Sequence, residues 1–419
     1  MSIRRLYNVA DVRDRARRRL PKGIFEFIDR GTEDDLAMRR NRAAFEQLQL
    51  RPQVGVDVSA RHTRTQLFGR EMSLPLAIAP TGAAGLVWYR GELELAKAAA
   101  TAGIPFTLAT RSMTAVEDIA AQAKGRLWFQ LYMWTERELS YGLVERAQRA
   151  GCEALIVTLD VPVAPNREYN LRNGFSLPFR LGARSMFDML RRPRWLSGVM
   201  GRYLATTGMP RYENQPGRHR NRLTQGDAAA PLRSDAITWD DVRELRRRWQ
   251  GPLLVKGILR VDDALRAVAA GADGVIVSNH GGRCLDCSVA PLEALPRIAD
   301  TLAGRATVLL DSGIRRGSDI AKALTLGAAA VLSGRPTLYG MAAAGQAGAR
   351  HVIGLLQAEL LTTLGMLGCT GVHELGPHLL QEEPAAIEHL LAQLDASTGA
   401  GSAAPGAGVE KHSLKGLVS

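Results

Sequence analysis

The sequence predicts an α/β fold, a closed parallel TIM (β/α)8 barrel with a helical N-terminal lead-in and a long insertion after strand 4. Three observations predict it: eight short apolar runs recur along the chain, one helical pattern separates most neighbouring runs, and each run passes directly into polar or glycine residues. The runs are Leu76–Ala79, Phe106–Ala109, Leu127–Leu131, Ala154–Leu159, Leu253–Val255, Gly274–Val277, Thr307–Leu310 and Ala330–Leu332. Short, nearly continuous apolar runs bounded by turn residues are how strands covered on both faces read. Between them, in Glu92–Ala102, Thr135–Ala150, Asp262–Ala270 and Ser318–Leu326, Ala and Leu recur at helical spacing and a glycine follows the last turn. Repeated β-then-α units close into a parallel barrel whose functional groups collect at the C-terminal strand ends.

Three segments fall outside the repeat. Residues 1–70 read as a helical lead-in, with Pro21–Asp29 folding over the barrel mouth, and residues 71–380 as the barrel itself. Between Asp160 and Trp239 lies a connection far longer than an ordinary βα loop, which marks a lid, a binding element or a disordered segment. Residues 397–419, rich in Gly, Ala and Ser, read as a disordered tail.

Composition narrows the class. A chain of 419 residues with 46% hydrophobic side chains buries a large core. The arginine-rich start carries no apolar run of the kind a signal peptide needs, and no stretch of eighteen apolar residues runs without charge, so a cytoplasmic location is expected. Four cysteines do not make a disulfide framework in so long a chain. Cys284 and Cys287 form a C-x-x-C, but a glycine-rich loop and a histidine flank it rather than a second cysteine pair, so no metal is expected.

The net charge of +12 is concentrated in places. The 176–225 part of the insertion holds ten arginines against Asp188 and Glu213, interleaved with Met186, Phe187, Leu190, Trp195, Leu196, Val199, Met200, Tyr203 and Leu204. That mixture is the composition of an interfacial segment, which Pro193 divides into two short amphipathic pieces. An anionic membrane surface, reached peripherally on the inner face of the cell membrane, is the expected partner, and nucleic acid is not, because no binding module accompanies the charge.

The strand ends carry the chemistry. Ser278-Asn279-His280-Gly281-Gly282-Arg283 ends the sixth run: its histidine can take a proton near neutral pH, its glycines let a ligand approach, and its arginine can clamp a carboxylate. Asp311-Ser312-Gly313-Ile314-Arg315-Arg316-Gly317 follows the seventh and Ser333-Gly334-Arg335 the eighth. Glycine turns with an arginine at this position make a phosphate site in many barrels, and without a Walker loop or G-x-G-x-x-G they point to a mononucleotide or a phosphorylated ligand. Lys256 ends the fifth run in Val255-Lys256-Gly257. It suits either a Schiff base or a cation beside the N1–C2=O edge of a reduced flavin, and the adjoining His280–Arg283 loop favours the flavin.

Together SNHGGR, DSGIRRG, VKG and WFQLY (Trp128–Tyr132) resemble the family of FMN-dependent 2-hydroxy-acid dehydrogenases and oxidases over residues 5–380. Within it, Gly281–Cys287 and Arg316–Ile320 are most similar to the mandelate-oxidising enzymes, with the lactate-oxidising ones next. The resemblance implies FMN as cofactor and a small 2-hydroxy acid as substrate, oxidised to the 2-oxo acid with His280 as base, and a homo-oligomer is expected. It puts Tyr132 beside the reacting carbon, Asp160 behind His280, and Arg167 and Arg283 on the substrate carboxylate. It gives Gln130, Thr158, Lys256 and Ser278 to the flavin ring and ribityl chain, with Pro80, Thr81 and Gly82 behind the ring. Asp311, Gly313, Arg315, Gly334 and Arg335 go to the ribityl and phosphate end. Whether His280 takes the hydroxyl proton or the α-proton stays open, since both routes need the same group.

The chain departs from the family pattern at Phe27, where a tyrosine usually helps hold the carboxylate, and at Ala109, where a serine usually stands near the flavin, although Thr110 beside it can compensate. Gly82 replaces the alanine of the glycolate oxidases, which favours a quinone-type acceptor over oxygen. A non-oxidative FMN barrel would lack the paired arginines.

Overall fold

A computed structural model describes residues 3–174, 182–216 and 234–380. The lead-in contains α1 (Val9–Arg19), α2 (Lys22–Asp29) and α3 (Leu36–Gln47), and α1 packs along the long helix at Arg335–Met366. Helix α1 opens with the Asn8 side chain accepting from Asp11 N, and α2 follows Pro21, whose fixed φ suits a helix start.

The helical lead-in is shorter than expected. It stops at Gln47, and a hairpin of β1 (Thr65–Leu67) and β2 (Arg70–Met72) spans the boundary placed at residue 70. Leu67 and Met72 enter the barrel interior, and the Phe68 ring meets Trp128 edge-on at 6.1 Å. Arg126, just before the third barrel strand, donates to the Leu67 carbonyl, and Arg70 pairs with Glu153, just before the fourth. The hairpin therefore plugs the N-terminal end of the barrel, where Ala154 and Ala330 at the strand starts leave room.

The eight expected runs form β3 (Leu76–Ile78), β4 (Phe106–Ala109), β5 (Leu127–Leu131), β6 (Ala154–Thr158), β7 (Leu253–Ile258), β8 (Gly274–Val277), β9 (Thr307–Leu310) and β10 (Ala330–Ser333). All pair in parallel, and β10 with β3 closes the barrel. Outside lie α4 (Gly91–Thr101), α5 (Val116–Ala123) and α6 (Arg137–Arg149). After β6 come α7 (Glu168–Arg172), α8 (Ala183–Leu190), α9 (Pro193–Trp195), a π-helical turn at Leu196–Gly201 and α10 (Arg202–Thr206). Then follow α11 (Trp239–Arg248), α12 (Val261–Ala269), α13 (Pro291–Leu302), α14 (Gly317–Thr325) and α15 (Arg335–Met366).

The pleat places the site. Alternate residues face the barrel axis, and Trp128, Ile156, Leu254, Ile276 and Leu309 fill the interior as one cluster, while Phe129, Leu155, Val255, Val275 and Leu310 join the core under the helices. Two residues further along the same inward face stand Gln130, Thr158, Lys256, Ser278 and Asp311, all buried. A packed apolar barrel thus carries a polar layer at its C-terminal mouth.

The insertion needs a correction. Trp195, Val199 and Tyr203, expected among the outward apolar groups, are buried against the barrel. The Trp195 indole N–H donates to the Leu86 carbonyl at 2.8 Å, and the Tyr203 hydroxyl accepts from Arg90 N at 3.0 Å. Large aromatic side chains with one polar handle gain more from packing on these loops than from exposure. Met186, Phe187, Leu190 and Leu204 do face outward. Further on, Asn214 accepts from Val116 N and donates to Ser112 and Thr114, so the insertion is pinned over the loops after β3 and β4. Residues 175–181 and 217–233 of the insertion region, and the expected tail at 397–419, lie outside the described residues.

Candidate active site

The polar layer and the loops above it enclose a cavity of about 1140 Å³. His280, Gly281 and Gly282 follow β8 with φ of 59°, 69° and 71°. For His280 a left-handed backbone costs roughly 1–3 kcal/mol, so its surroundings must enforce it. They do so through the Ser278 hydroxyl accepting from His280 N, the Ser312 hydroxyl from Gly281 N, and the Asn279 side chain from Gly282 N. The result turns the imidazole back over the mouth.

His280 Nδ1 lies 2.9 Å from Asp160 Oδ1, and the Tyr132 hydroxyl lies 3.4 Å from Nε2. Burial alone would lower the His280 pKa, but the Asp160 carboxylate, aided by Tyr132 and Cys284, raises it well above the ordinary value. Burial pushes Asp160 up, yet the charges of His280 and Lys256 outweigh it and hold the carboxyl below its usual range. Lys256, fully enclosed, keeps its charge because Asp311 at 3.0 Å and Asp160 at 3.8 Å more than offset burial. Gly257 makes this proximity possible: its φ is 104°, and a Cβ there would stand 2.5 Å from Asp160 Cβ.

Two arginines face the cavity with no carboxylate in ion-pair contact among the described residues. The Arg167 guanidinium donates to the Arg283 carbonyl at 3.0 Å, and Arg283 donates to the Arg30 carbonyl at 2.8 Å. Burial and the neighbouring Arg283 charge lower the Arg167 pKa to about 10. Uncompensated cations side by side are a receptor for a carboxylate. The Phe27 ring lies under Arg283, 5.4 Å from its guanidinium carbon, and Ala109 also lines the cavity.

At the other end the residues fit the phosphate of FMN. Arg335 is buried, its Nε has no partner in the described structure, and burial with Arg283 nearby lowers its pKa to about 10. Arg315 is also lowered by burial, and its guanidinium donates only to the adjacent Ile314 carbonyl among the described residues. Gly313, at φ 106°, turns the chain where a Cβ would meet the Asn41 carbonyl at 2.9 Å. Two sequestered guanidiniums with spare donors call for a multivalent anion.

Pro80, Thr81, Gly82, Gln130, Tyr132, Arg167, Lys256, His280, Arg283, Asp311, Gly313, Arg315, Gly334 and Arg335 all line this one cavity. Thr110, Thr158 and Ser278, expected to touch the cofactor, sit one layer behind its wall. Their short side chains are spent on neighbours: Thr110 donates to the Gln130 carbonyl, Thr158 accepts from Gln130 Nε2, and Ser278 accepts from Lys256. Asp160 also stands behind, against His280.

Other groups escaped the sequence reading. Thr32, fully buried, donates its hydroxyl to the Asn166 carbonyl at 2.5 Å and its N–H to the Gly282 carbonyl at 3.0 Å. It bolts together the loops that carry Arg167 and Arg283. Asn41 and Asn279 exchange two buried side-chain hydrogen bonds, and Asp286 accepts from Asp34 N and Ala37 N at the start of α3. That role explains the loop between Cys284 and Cys287. The Cys284 thiol comes within 4.8 Å of Asp160 and His280, but Lys256 and Arg167 crowd positive charge there, which disfavours a cation. Asn279 and Asp286 lay in motifs, but their partners, like those of Thr32 and Asn41, stand across long sequence separations.

A family model described as FMN-dependent dehydrogenase matches residues 16–382. The chain belongs to the FMN-dependent dehydrogenase family. Among curated relatives of that family, (S)-mandelate dehydrogenase of Pseudomonas putida is 43% identical over 392 residues, 92% of this chain and 98% of the relative. L-lactate dehydrogenase of Alcaligenes faecalis is 38% identical over 376 residues, 89% and 98% respectively. A crystal structure of the monotopic membrane protein (S)-mandelate dehydrogenase superposes with a TM-score of 0.85 at 43% identity, covering 90% of this chain and all of that one.

Proposed function

We propose that this FMN-dependent dehydrogenase oxidises a mandelate- or lactate-like 2-hydroxy acid to the 2-oxo acid at a membrane surface and passes the electrons to a quinone. The observation that carries the reading is one imidazole, backed by a carboxylate, lining the same cavity as two arginines that have no carboxylate partner among the described residues. FMN, when bound, supplies the two-electron acceptor. Arg167 and Arg283 hold the substrate carboxylate, Tyr132 contacts the hydroxyl-bearing carbon region, and His280 Nε2 takes the proton. Asp160 keeps the imidazole oriented and stabilises its charged form. Arg315 and Arg335 would hold the phosphate of FMN and Gln130 its ring edge, and Lys256 would supply a positive charge beside the ring.

The acceptor and the membrane rest on the insertion. Its outward Met186, Phe187, Leu190 and Leu204 alternate with arginines, and no helix of the described residues is long and apolar enough to cross a membrane. A peripheral anchor would set the enzyme where a lipid-soluble quinone is dissolved. The test is anaerobic bleaching of the purified flavoprotein with mandelate and lactate, then reoxidation by a short-chain quinone or by air-saturated buffer. The flavin released should be FMN, and bleaching should follow at least one acid. FAD, or no bleaching by any 2-hydroxy acid, overturns the reading, and faster reoxidation by oxygen than by quinone overturns its acceptor.

A further inference from the structure

We infer that the membrane surface is shared between the insertion and the lead-in helix α1, whose Arg15 and Arg18 bind anionic phospholipid headgroups. The inference rests on the peripheral-membrane reading above and extends it to a segment nearly two hundred residues away in sequence. The C-terminal end of α1 is enclosed on two sides by the insertion. A shallow cleft at the α1–α2 junction is lined by Pro21 and Ile24 together with Ser185, Asp188 and Met189 of α8. On the other side the Arg19 guanidinium lies 3.9 Å from where a Cβ on Gly198 would stand, and stacks 4.3 Å over Trp88.

Charge concentrates at this junction. Arg15 and Arg194, one from each segment, both depress the Arg19 pKa, beneath the larger effect of burial. Arg17, Arg18, Arg191, Arg194 and Arg202 are exposed, and no carboxylate lies within ion-pair distance of them, of Arg15 or of Arg19 among the described residues. Arg13, by contrast, is tied bidentately to Asp29. Like charges held together by folding, with Asp11, Asp14 and Asp188 nearby but none in ion-pair contact with them, lower their energy by meeting an external anion. The neighbouring Met186 and Leu190, half exposed or more, give the same face its apolar element. Basic side chains beside outward apolar ones suit an anionic lipid interface, where each arginine contributes through a headgroup phosphate.

Arg15 and Arg18 stand three residues apart on the α1 face that also bears Arg19, and neither enters the active-site cavity. The holoenzyme is sedimented with phosphatidylglycerol-containing vesicles and with phosphatidylcholine vesicles. R15Q/R18Q should partition about 30-fold more weakly onto the anionic vesicles, from about 1 kcal/mol per arginine at the surface. R15K/R18K should restore binding, and substrate reduction of the flavin should match wild type in both variants, which reports that α1 is folded. If wild type binds and R15Q/R18Q binds equally well, the inference falls and the membrane reading stands on the insertion alone. If wild type binds neither vesicle, the membrane reading itself falls. Equal loss in the lysine variant would also overturn the headgroup role.

Discussion

Replacing Asp160 by asparagine should do two separable things to flavin reduction. Asparagine keeps the shape and can still accept from His280 Nδ1 across the 2.9 Å contact, but it removes the charge that raises the His280 pKa. A hydrogen bond to a charged group is worth about 1.5–3 kcal/mol and a neutral one about 0.5–1.5 kcal/mol. The difference, about 1–2 kcal/mol, is lost from the state in which the imidazole has taken the proton. That is a 5- to 30-fold slower maximal step, at about 1.4 kcal/mol per factor of ten. The second effect is on pH. A base must be unprotonated to act, so with a raised pKa the wild-type rate climbs with pH through a value above the ordinary histidine range. Without Asp160 the limb moves to lower pH, and the deficit of the variant shrinks as the solution is acidified. The assay is anaerobic stopped-flow reduction of the bound flavin at saturating substrate across pH. Lys256 stays paired with Asp311 at 3.0 Å, so cofactor retention should not change. A limb that stays put in D160N, or a deficit that grows toward acid, would refute the assignment of His280 as the titrating base.

Three further substitutions probe the same site. H280Q should retain FMN and lose at least ~10²-fold in flavin reduction rate, the lower range for removing a general base; a near-normal rate moves the base elsewhere. F27Y should tighten substrate binding by about 0.5–1.5 kcal/mol if the new hydroxyl reaches the carboxylate beside Arg283, measured as affinity for the oxidised enzyme, and unchanged or weaker binding would mean that Phe27 packs against an apolar part of the substrate. T32V keeps the backbone bond to Gly282 and loses the hydroxyl bond to Asn166. KM for the hydroxy acid should rise about 2- to 12-fold with kcat within about twofold, while the neutral ester of the same acid is unaffected; equal shifts for acid and ester would reduce Thr32 to a packing role.

What was legible in the sequence followed local rules. The barrel strands read correctly because parallel strands covered on both faces are short apolar runs, and the inward residue after each run had to be polar at the mouth. His280, Lys256, Arg315 and Arg335 stood at or just after those strand ends, so their convergence needed only the topology. The plug at β1–β2 was missed because Phe68-Gly69 lies in a polar stretch whose value comes from Trp128 across the barrel. Trp195 was misassigned because composition gives no direction: an aromatic among arginines suits an interface until a partner such as the Leu86 carbonyl is known. Thr32 and Asn41 carry no motif at all, since their meaning lies in partners 134 and 238 residues away.

The strap around Thr32 also sets an order on the making of the enzyme. As the chain leaves the ribosome its first fifty residues emerge early, but the Asn166 and Gly282 carbonyls that anchor them come much later. Until then the strap has nothing to grip, and closing loops of that length is an entropic cost that only the finished barrel repays. The arginine pair proposed to read the substrate thus becomes rigid late, whereas the pairs from β4 to β9 form between strands that follow one another in sequence. A nascent or partly unfolded molecule would therefore lose its grip on the substrate carboxylate before it loses its barrel. Competence to bind substrate, read by protection of the Thr32 amide, is a stricter measure of complete folding than secondary structure.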